Sequence, residues 1–364
     1  MQSYRPSESL TTELGIICAI LVLVLGSGCI DSRSNSSGPV NITDMAGRQV
    51  EVPSRVDRVV GIEAGALRLL VYLDVVDRVV GVEDYERTDE LRPYILAHPE
   101  LANRTVIGPM HGGDAELITS ANPQVIFWTY TEAGDAQDLQ DKTGIPVVVI
   151  EYGDLDDQRD VFFDALRLMG RILGEEDRAE ELVSYFESTI RDLGRRTEEA
   201  GESGSCYVGG VSYRGSHGIL STEPMYAPFL FLGVENVASD LGVEHAFVDA
   251  EALIEWNPDT IFVDEAGYSL VVQDFLNNTA FGTMKAVREG SIYGVLPYNY
   301  YTANYGTILA NAYYVGKVLY PEAFSDIDPE EKADEIYVEL LGKGVYDRME
   351  ALFGGLKEIS VDNG

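Results

Sequence analysis

Residues 114–128 read DAELITSANPQVIFW, and the pattern returns at residues 249–263 as DAEALIEWNPDTIFV. Both copies begin with Asp-Ala-Glu, carry an Asn-Pro pair and contain Ile-Phe in their final segment. Each copy predicts a short helix capped by its first aspartate, a turn marked by proline and a buried parallel strand. Because one unit is used twice, the sequence favours two similar lobes over one continuous sheet. The alternative is chance similarity between two helix–strand turns.

Composition narrows the class of protein. The chain has 364 residues, of which 45% are hydrophobic, and this length favours two domains. Its formal net charge of −35 comes from 61 acidic and 26 basic residues, which excludes a nucleic-acid binder because phosphates would be repelled. Three cysteines do not suggest a disulfide framework, and Cys206 beside a predicted strand is interpreted as a small buried apolar residue.

The N-terminal region has the pattern of an export signal. Residues 14–25 are almost wholly apolar, which is too short to span a bilayer comfortably and suits a signal peptide. Small residues precede Cys29, and a stretch rich in serine and asparagine follows it. We predict a signal peptide over residues 1–28 and a lipidated Cys29 with a flexible tether over residues 29–39. An uncleaved membrane anchor is the alternative, and either one places the folded part outside the cell membrane.

Apolar runs in the next hundred residues alternate between strand and helix patterns. Residues 58–61, 79–82, 105–107 and 147–150 predict buried strands, and residues 64–73 predict a helix. This spacing implies a parallel α/β sheet, in which ligands bind beyond the carboxyl ends of the strands. The first-lobe loops expected there are 61–65, 83–85, 108–113 and 128–130.

A helical segment separates the two copies of the repeat. Residues 157–200 contain no proline, and apolar side chains recur at helical spacing, which predicts a long amphipathic helix entered from a shorter one ending near Gly174. The domain boundaries that follow are a first lobe over residues 40–154, a helical connector over 155–203 and a second lobe over 204–364.

The second lobe contains an unusual tyrosine-rich segment. Residues 297–305 read PYNYYTANY and offer flat apolar faces with hydroxyl and amide groups. That composition suits a ligand site for a large planar or bulky molecule. The alternative is a packed turn that begins a helix over residues 307–319. Loops 212–218 and 264–268 are expected at the same edge of this lobe.

The ordered set of motifs resembles a known family. The chain is similar to the class III substrate-binding proteins of ABC importers, which capture ferric siderophores, haem or cobalamin. The resemblance is carried by the ordered segments ITDMAGRQVEVP, RVVGIEAGALRLLVYLDVVDRVVGV, GGDAELITSANPQVIF, a long helix and a second NPDTIF. The resemblance covers nearly all of the chain after Val40. It implies two Rossmann-like α/β lobes with parallel sheets, joined by a single long helix, with a ligand cleft between them. It also implies that a glutamate on each lobe docks onto arginines of the permease, and Glu116 and Glu251 match those positions.

Several side chains on the predicted cleft loops have chemistry suited to a metal chelate. Arg214 can pair with carboxylates of a chelate or be an ordinary surface arginine. His111 and His217 can ligate iron or cobalt, hydrogen-bond a chelate or remain ordinary polar loop residues. Trp128 and Tyr130 can stack on a macrocycle, and a tyrosine can serve as an axial oxygen ligand for haem. The predicted ligand-binding residues are Glu63, Tyr85, His111, Trp128, Tyr130, Tyr213, Arg214, His217, Tyr298, Asn299 and Tyr301.

The sequence favours capture over catalysis. GVSYRG at residues 210–215 lacks the spacing of a nucleophile elbow, and there is no HExxH, P-loop or G-x-G-x-x-G after a strand. We predict a monomer without a cofactor of its own, which delivers a metal chelate such as a ferric siderophore to an ABC permease and its ATPase. Haem or cobalamin binding and a tethered sensor are the alternatives, and an extracellular enzyme is the least favoured.

Overall fold

In the computed structural model, residues 38–88, 91–201 and 203–361 are described. The predicted signal peptide and Cys29 lie outside these ranges. The strands are β1 (Val40–Thr43), β2 (Gln49–Val52), β3 (Val59–Ile62), β4 (Val79–Val82), β5 (Thr105–Val106), β6 (Val125–Thr129), β7 (Val147–Ile150), β8 (Cys206–Gly209), β9 (Ser221–Thr222), β10 (Ala246–Phe247), β11 (Thr260–Asp264), β12 (Ile292–Val295) and β13 (Lys357–Glu358).

Helices occupy most of the segments between these strands. None of the helices in the described ranges has the length and apolar character of a membrane span. They are α1 (Ala66–Tyr72), α2 (Tyr85–Thr88), α3 (Pro93–Ala97), α4 (Ala115–Ala121), α5 (Ala133–Thr143), α6 (Arg159–Leu173), α7 (Glu176–Thr197), α8 (Ala227–Leu232), α9 (Ala250–Trp256), α10 (Tyr268–Asn277), α11 (Lys285–Glu289), α12 (Tyr305–Leu319), α13 (Pro329–Leu341) and α14 (Tyr346–Phe353).

Two main sheets form the two lobes, as the repeat predicts. The first has strand order β5-β4-β3-β6-β7, and all of its strand pairs are parallel. The second has order β13-β12-β11-β8, in which β8, β11 and β12 are parallel and the short edge strand β13 is antiparallel. Their central strands are apolar and buried, as expected when helices cover both faces of a sheet. The prediction of an α/β fold with parallel sheets is confirmed.

The repeated sequence folds as the same unit twice. Helices α4 and α9 each have seven residues, and each ends at an asparagine in the left-handed region, Asn122 with φ of 54° and Asn257 with φ of 47°. The capping prediction holds for Asp114, whose carboxylate accepts from the backbone N–H groups of Glu116 and Leu117. The capping prediction is wrong for Asp249, whose carboxylate makes no capping hydrogen bond. Asp249 is exposed, so water can bond the free backbone N–H groups at the start of α9.

The connector is a pair of packed helices. Helix α6 ends at Gly174, which has φ of 72°, and the 22-residue helix α7 follows, as predicted. Arg178 on α7 donates to the Tyr72 carbonyl at 3.1 Å and pairs with Glu339 at 2.8 Å, which ties the connector to α1 and α13. One buried cluster runs from Ile42 through α6 and α7 to Leu356. Because interiors pack at crystal-like density, this shared core resists movement of one lobe against the other.

Candidate functional site

A cleft of about 800 Å³ lies at the carboxyl ends of both sheets. Tyr130 follows β6 and residues 151–158 follow β7 on the first lobe. Tyr213 follows β8, and Tyr298 and Asn299 follow β12 on the second lobe. This is where parallel α/β sheets bind ligands, because loops from several strands converge there. The volume falls within the range of small-molecule sites.

One wall of the cleft is aromatic. The rings of Tyr213 and His245 stack with centroids 4.2 Å apart and planes within 9° of parallel. The Phe247 and His245 rings are nearly perpendicular, with their centroids 4.9 Å apart. His245 Nε2 lies 2.8 Å from the Ser221 hydroxyl, and burial lowers the pKa of this histidine, which favours the neutral imidazole. The wall therefore presents flat, uncharged ring surface to a ligand.

The rest of the lining is strongly acidic. Among the described residues that line the cleft, seven are acidic, with the pKa of Glu223 raised well above its usual range by burial, and none is a lysine or an arginine. This arrangement gives the interior a negative potential. The acidic residues are Glu132, Glu151, Asp154, Asp156, Asp157, Glu223 and Glu244.

Beside the cleft, the lobes are joined by what we call the Arg68 contact, made by Arg68 and Tyr152 with residues 300–303. The buried Arg68 guanidinium donates to four consecutive carbonyl oxygens of that segment, at 2.7 to 3.4 Å, and to the Tyr152 hydroxyl. The Tyr305 hydroxyl donates to the Tyr152 carbonyl at 3.0 Å. Tyr152 packs against Gly65, where an added Cβ would lie 2.2 Å from its ring. The tyrosine-rich segment is thus largely a packed turn before α12.

A buried carboxyl lies at the end of the same segment. Glu83 accepts from the Tyr301 hydroxyl at 2.7 Å and from the backbone N–H groups of Glu63 and Gly112 at 3.1 and 3.3 Å. Burial raises the pKa of Glu83 to about 7. His111 Nδ1 pairs with the Glu63 carboxylate on the solvent side. Three predicted ligand residues therefore surround a carboxyl that the sequence prediction left out.

Several predicted ligand residues have an unusual backbone conformation. Glu63, His111, Tyr130, Arg214 and Tyr301 all have φ between 50° and 73°, the left-handed region that non-glycine residues seldom occupy. Each such residue costs of order 1–3 kcal/mol and persists only where the surrounding structure holds it. Five of the eleven predicted ligand residues are thus held in strained positions, which is typical of functional loops.

The structure divides the eleven predicted ligand residues into three groups. Tyr130, Tyr213, Tyr298 and Asn299 line the cleft. A second group meets near Glu83, where the Tyr85 and Tyr301 rings lie 4.8 Å apart; its members are Glu63, Tyr85, His111 and Tyr301.

The third group lies outside the cleft lining. Trp128 packs on the apolar face of the first sheet. The Arg214 guanidinium lies over the Tyr213 ring at 5.5 Å, and His217 bonds the Tyr213 carbonyl at 2.7 Å. These two residues contact Tyr213 of the aromatic wall. Within the described ranges, no three His, Cys, Asp or Glu side chains are grouped as metal ligands.

The two predicted docking glutamates lie at equivalent positions. Glu116 and Glu251 occupy the second residue of α4 and α9. Both side chains are exposed. A carboxylate at a helix N-terminus is favoured by the helix dipole, so this placement alone does not require a partner.

Part of the lining escaped the sequence prediction. Residues 154–157 follow β7, so the rule that parallel strands place ligand loops at their carboxyl ends can find them. An excursion of the chain, defined as the segment with β9, α8 and β10 between β8 and α9, contributes Glu223, Glu244 and His245. The first lobe has no counterpart of this excursion in sequence, and the repeat gives no signal for it.

Known proteins resemble this chain over most of its length. A family model described as periplasmic binding protein matches residues 59–298. The molybdate-binding protein MolA of Haemophilus influenzae is 25% identical over 322 residues, which cover 81% of this chain and 89% of the relative. The Fe(3+)-citrate-binding protein YfmC of Bacillus subtilis is 24% identical over 299 residues, covering 78% and 89% of the two chains.

Solved structures show the same fold. Molybdate-bound MolA from Haemophilus influenzae superposes with a TM-score of 0.66 at 21% identity and covers 84% of this chain and 98% of its own. The heme binding protein HmuT superposes with a TM-score of 0.52 at 18% identity, covering 84% and 92%. With the family model matched across both sheets, the chain belongs to the periplasmic binding protein family.

Proposed function

We propose that the chain is the extracytoplasmic substrate-binding component of an ABC importer and captures a small-molecule metal chelate in its cleft. The observation that carries this proposal is the 800 Å³ cleft at the carboxyl ends of two parallel sheets that share one core. A nearly preformed cleft lowers the conformational cost of binding. A ferric siderophore is our first candidate, and haem or a corrinoid is the alternative for a cleft of this size with an aromatic wall.

Molybdate is a second candidate ligand. The relative named for molybdate covers 81% of this chain at 25% identity, and the structure of its complex has the same fold. An oxyanion of that size would fill a small part of the cleft and would need N–H or hydroxyl donors. The acidic lining favours the larger chelate over this alternative.

Capture rather than catalysis fits the side chains of the cleft. Beside the cleft, the Ser221 hydroxyl and the His245 ring form a contact that resembles a nucleophile with its base. Ser221 is buried, and its hydroxyl also bonds the Val211 carbonyl at 2.7 Å. This pair therefore serves to position the aromatic wall.

We further propose that Glu116 and Glu251 dock the loaded protein onto the permease, and that Cys29 carries the lipid that anchors it outside the membrane. Carboxylates on both lobes can form bidentate pairs with arginines of a permease. The sensor alternative differs because it needs no transport.

Uptake by cells tests the docking proposal. We expect Glu116→Ala combined with Glu251→Ala to abolish uptake of the bound chelate and to leave its affinity unchanged. Glu235→Ala with Glu322→Ala removes the same charge from exposed sites elsewhere and should leave uptake intact. Normal transport by the first double variant would refute the docking role.

A further inference from the structure

The charge of the cleft conflicts with the ligands for which the two curated relatives are named. Molybdate is an oxyanion, and ferric citrate complexes are anionic. Both would enter a lining of seven acidic residues without a lysine or an arginine among its described residues. Repulsion in a cleft with low-dielectric walls is stronger than on an open surface. The lining therefore disfavours an anion unless a nearby cation compensates.

The arginines near the described cleft have most of their donors engaged within the protein. The terminal nitrogens of Arg68 already donate to five acceptors in the Arg68 contact. Arg159 donates to the Leu155 carbonyl at 2.8 and 3.0 Å. Arg214 lies over the outer face of Tyr213 and is not part of the lining. The cleft thus has hydrogen-bond acceptors in excess of cationic donors.

Glu223 is the most informative of the acceptors. The residue lines the cleft and is partly accessible, but its Oε2 atom is enclosed and has no hydrogen-bond partner. Close to it, the Oδ2 atom of Asp264 is also buried without a partner. Buried polar atoms in native proteins nearly always have partners, and an orphaned carboxyl oxygen at a cleft calls for one. A ligand N–H or ammonium group is a partner that the Glu223 oxygen, which lines the cleft, lacks.

The aromatic wall suits the same kind of ligand. The Tyr213 ring in the cleft lining already attracts one cation, the Arg214 guanidinium, whose central carbon lies 5.5 Å from the ring centroid. Cations are attracted to aromatic faces within about 6 Å of the ring centroid. The orphaned Glu223 oxygen and the acidic lining therefore favour positive charge on the ligand.

We propose that the cleft selects metal chelates that carry an ammonium or other cationic N–H group, and that Glu223 is the specificity-determining acceptor for that group. The inference rests on the importer function proposed above, because it names the substrate class of the same cleft. It also separates this chain from its relatives, because anionic chelates and oxyanions are the ligands that the cleft rejects.

A matched pair of ligands tests this charge preference directly. The full chain is titrated by calorimetry with ferrioxamine B, a ferric hydroxamate with a free ammonium group, and with its N-acetylated derivative, which differs only in that group. We expect the ammonium form to bind at least about tenfold tighter, a difference of about 1.4 kcal/mol. Ferric citrate and molybdate are titrated in parallel and should bind more weakly than either.

Variants then assign the preference to the cleft. Glu223→Gln keeps the shape and should bring the affinity ratio of the two hydroxamates close to one. Glu235→Gln removes an equal charge from the exposed surface of the same lobe and should keep the wild-type ratio, which separates Glu223 from the general acidity of the chain. If Glu223→Gln does not fold, Glu244→Gln changes an exposed lining carboxylate instead and should reduce the ratio less.

The possible results test the charge preference separately from the importer function. Equal affinity for both hydroxamates, tighter binding of molybdate or ferric citrate, or an unchanged ratio in Glu223→Gln would overturn the charge preference and leave the importer function standing. No binding of any of the four ligands would overturn the ferric hydroxamate as the captured chelate, and the charge preference with it.

Discussion

At the Arg68 contact, four consecutive carbonyl oxygens of residues 300–303 receive hydrogen bonds, whereas in the neighbouring cleft the Thr131 hydroxyl and Glu223 Oε2 have no partner. Both regions lie between the same two lobes, and both contain several tyrosines. The contact pairs most of its polar groups within the protein, although Arg68 Nε has no partner, whereas the cleft has polar atoms that a ligand can pair.

This difference separates stability from recognition. Charge in the Arg68 contact is confined to one buried guanidinium among carbonyl and hydroxyl groups, so solvent plays little part there. Charge in the cleft is spread over several acidic side chains of the lining, most of which remain accessible to a ligand. We therefore expect substitutions in the contact to change the free energy of unfolding and substitutions in the cleft to change ligand affinity.

The largest effect should come from Arg68. Arg68→Met keeps much of the side-chain volume but removes the donors to five acceptors, four of them carbonyls of residues 300–303. Leaving buried acceptors unpaired costs about 1–3 kcal/mol each before relaxation, so we expect a loss of about 3–5 kcal/mol in the free energy of unfolding. Urea unfolding followed by circular dichroism measures it.

Arg68→Lys is the matched control because it keeps the charge but not the planar set of donors. We expect it to recover only part of the lost stability. If Arg68→Met costs less than about 1 kcal/mol, which is within reach of an ordinary surface substitution, the contact does not hold the lobes together.

The next effect depends on pH and comes from Glu83. Between the ordinary pKa of a glutamate and about 7, the folded chain keeps a proton on Glu83 that the unfolded chain has released. The unfolded chain then binds fewer protons, so the free energy of unfolding falls as pH rises through that window and stays low above it. Glu63, Glu86, His111 and Tyr301 surround this carboxyl.

Glu83→Gln should make the decline between pH 5 and pH 8 shallower, by at most about 3 kcal/mol at 1.36 kcal/mol per pH unit. Burial also raises the pKa of Asp264 to about 7 and of Glu265 to about 8, so some decline remains in the variant. The difference between the two profiles isolates Glu83. Identical profiles for Glu83→Gln and for the surface variant Glu235→Gln would show that Glu83 is ionised in the folded chain.

The sequence predicts the repeated framework well because its signals are local. The Asn-Pro pairs at 122–123 and 257–258 sit where each helix must turn into a buried strand, and the structure places a left-handed asparagine at both points. Strand ends follow from the same pattern, so the amino-acid sequence alone is enough to assign Tyr130, Tyr213, Tyr298 and Asn299 to the cleft edge.

No local sequence pattern predicts the Arg68 contact. Arg68 lies in the apolar helix ALRLLVY, and its partners begin 232 residues later, at Tyr300. Nothing local distinguishes it from an ordinary helical arginine. Glu223 and His245 were missed for a related reason, because they lie in the excursion between β8 and α9, which the first copy of the unit lacks. Their role depends on which distant loop they face.

The smallest expected effect comes from Tyr130, which lies where the Arg68 contact and the cleft meet. The Tyr130 hydroxyl bonds the Thr302 hydroxyl at 2.8 Å across the lobes, at the edge of both the Arg68 contact and the cleft, and the Tyr130 side chain is 60% exposed. Because water can replace an exposed hydrogen bond, Tyr130→Phe should cost at most about 1 kcal/mol in urea unfolding. Its ligand affinity should stay within about twofold, since the ring remains, whereas Tyr130→Ala should weaken binding by about tenfold, as expected for loss of one contacting aromatic face. A loss of stability in Tyr130→Phe as large as that in Arg68→Met would mean that the rigid contact extends into the cleft, and the separation of stability from recognition would then fail.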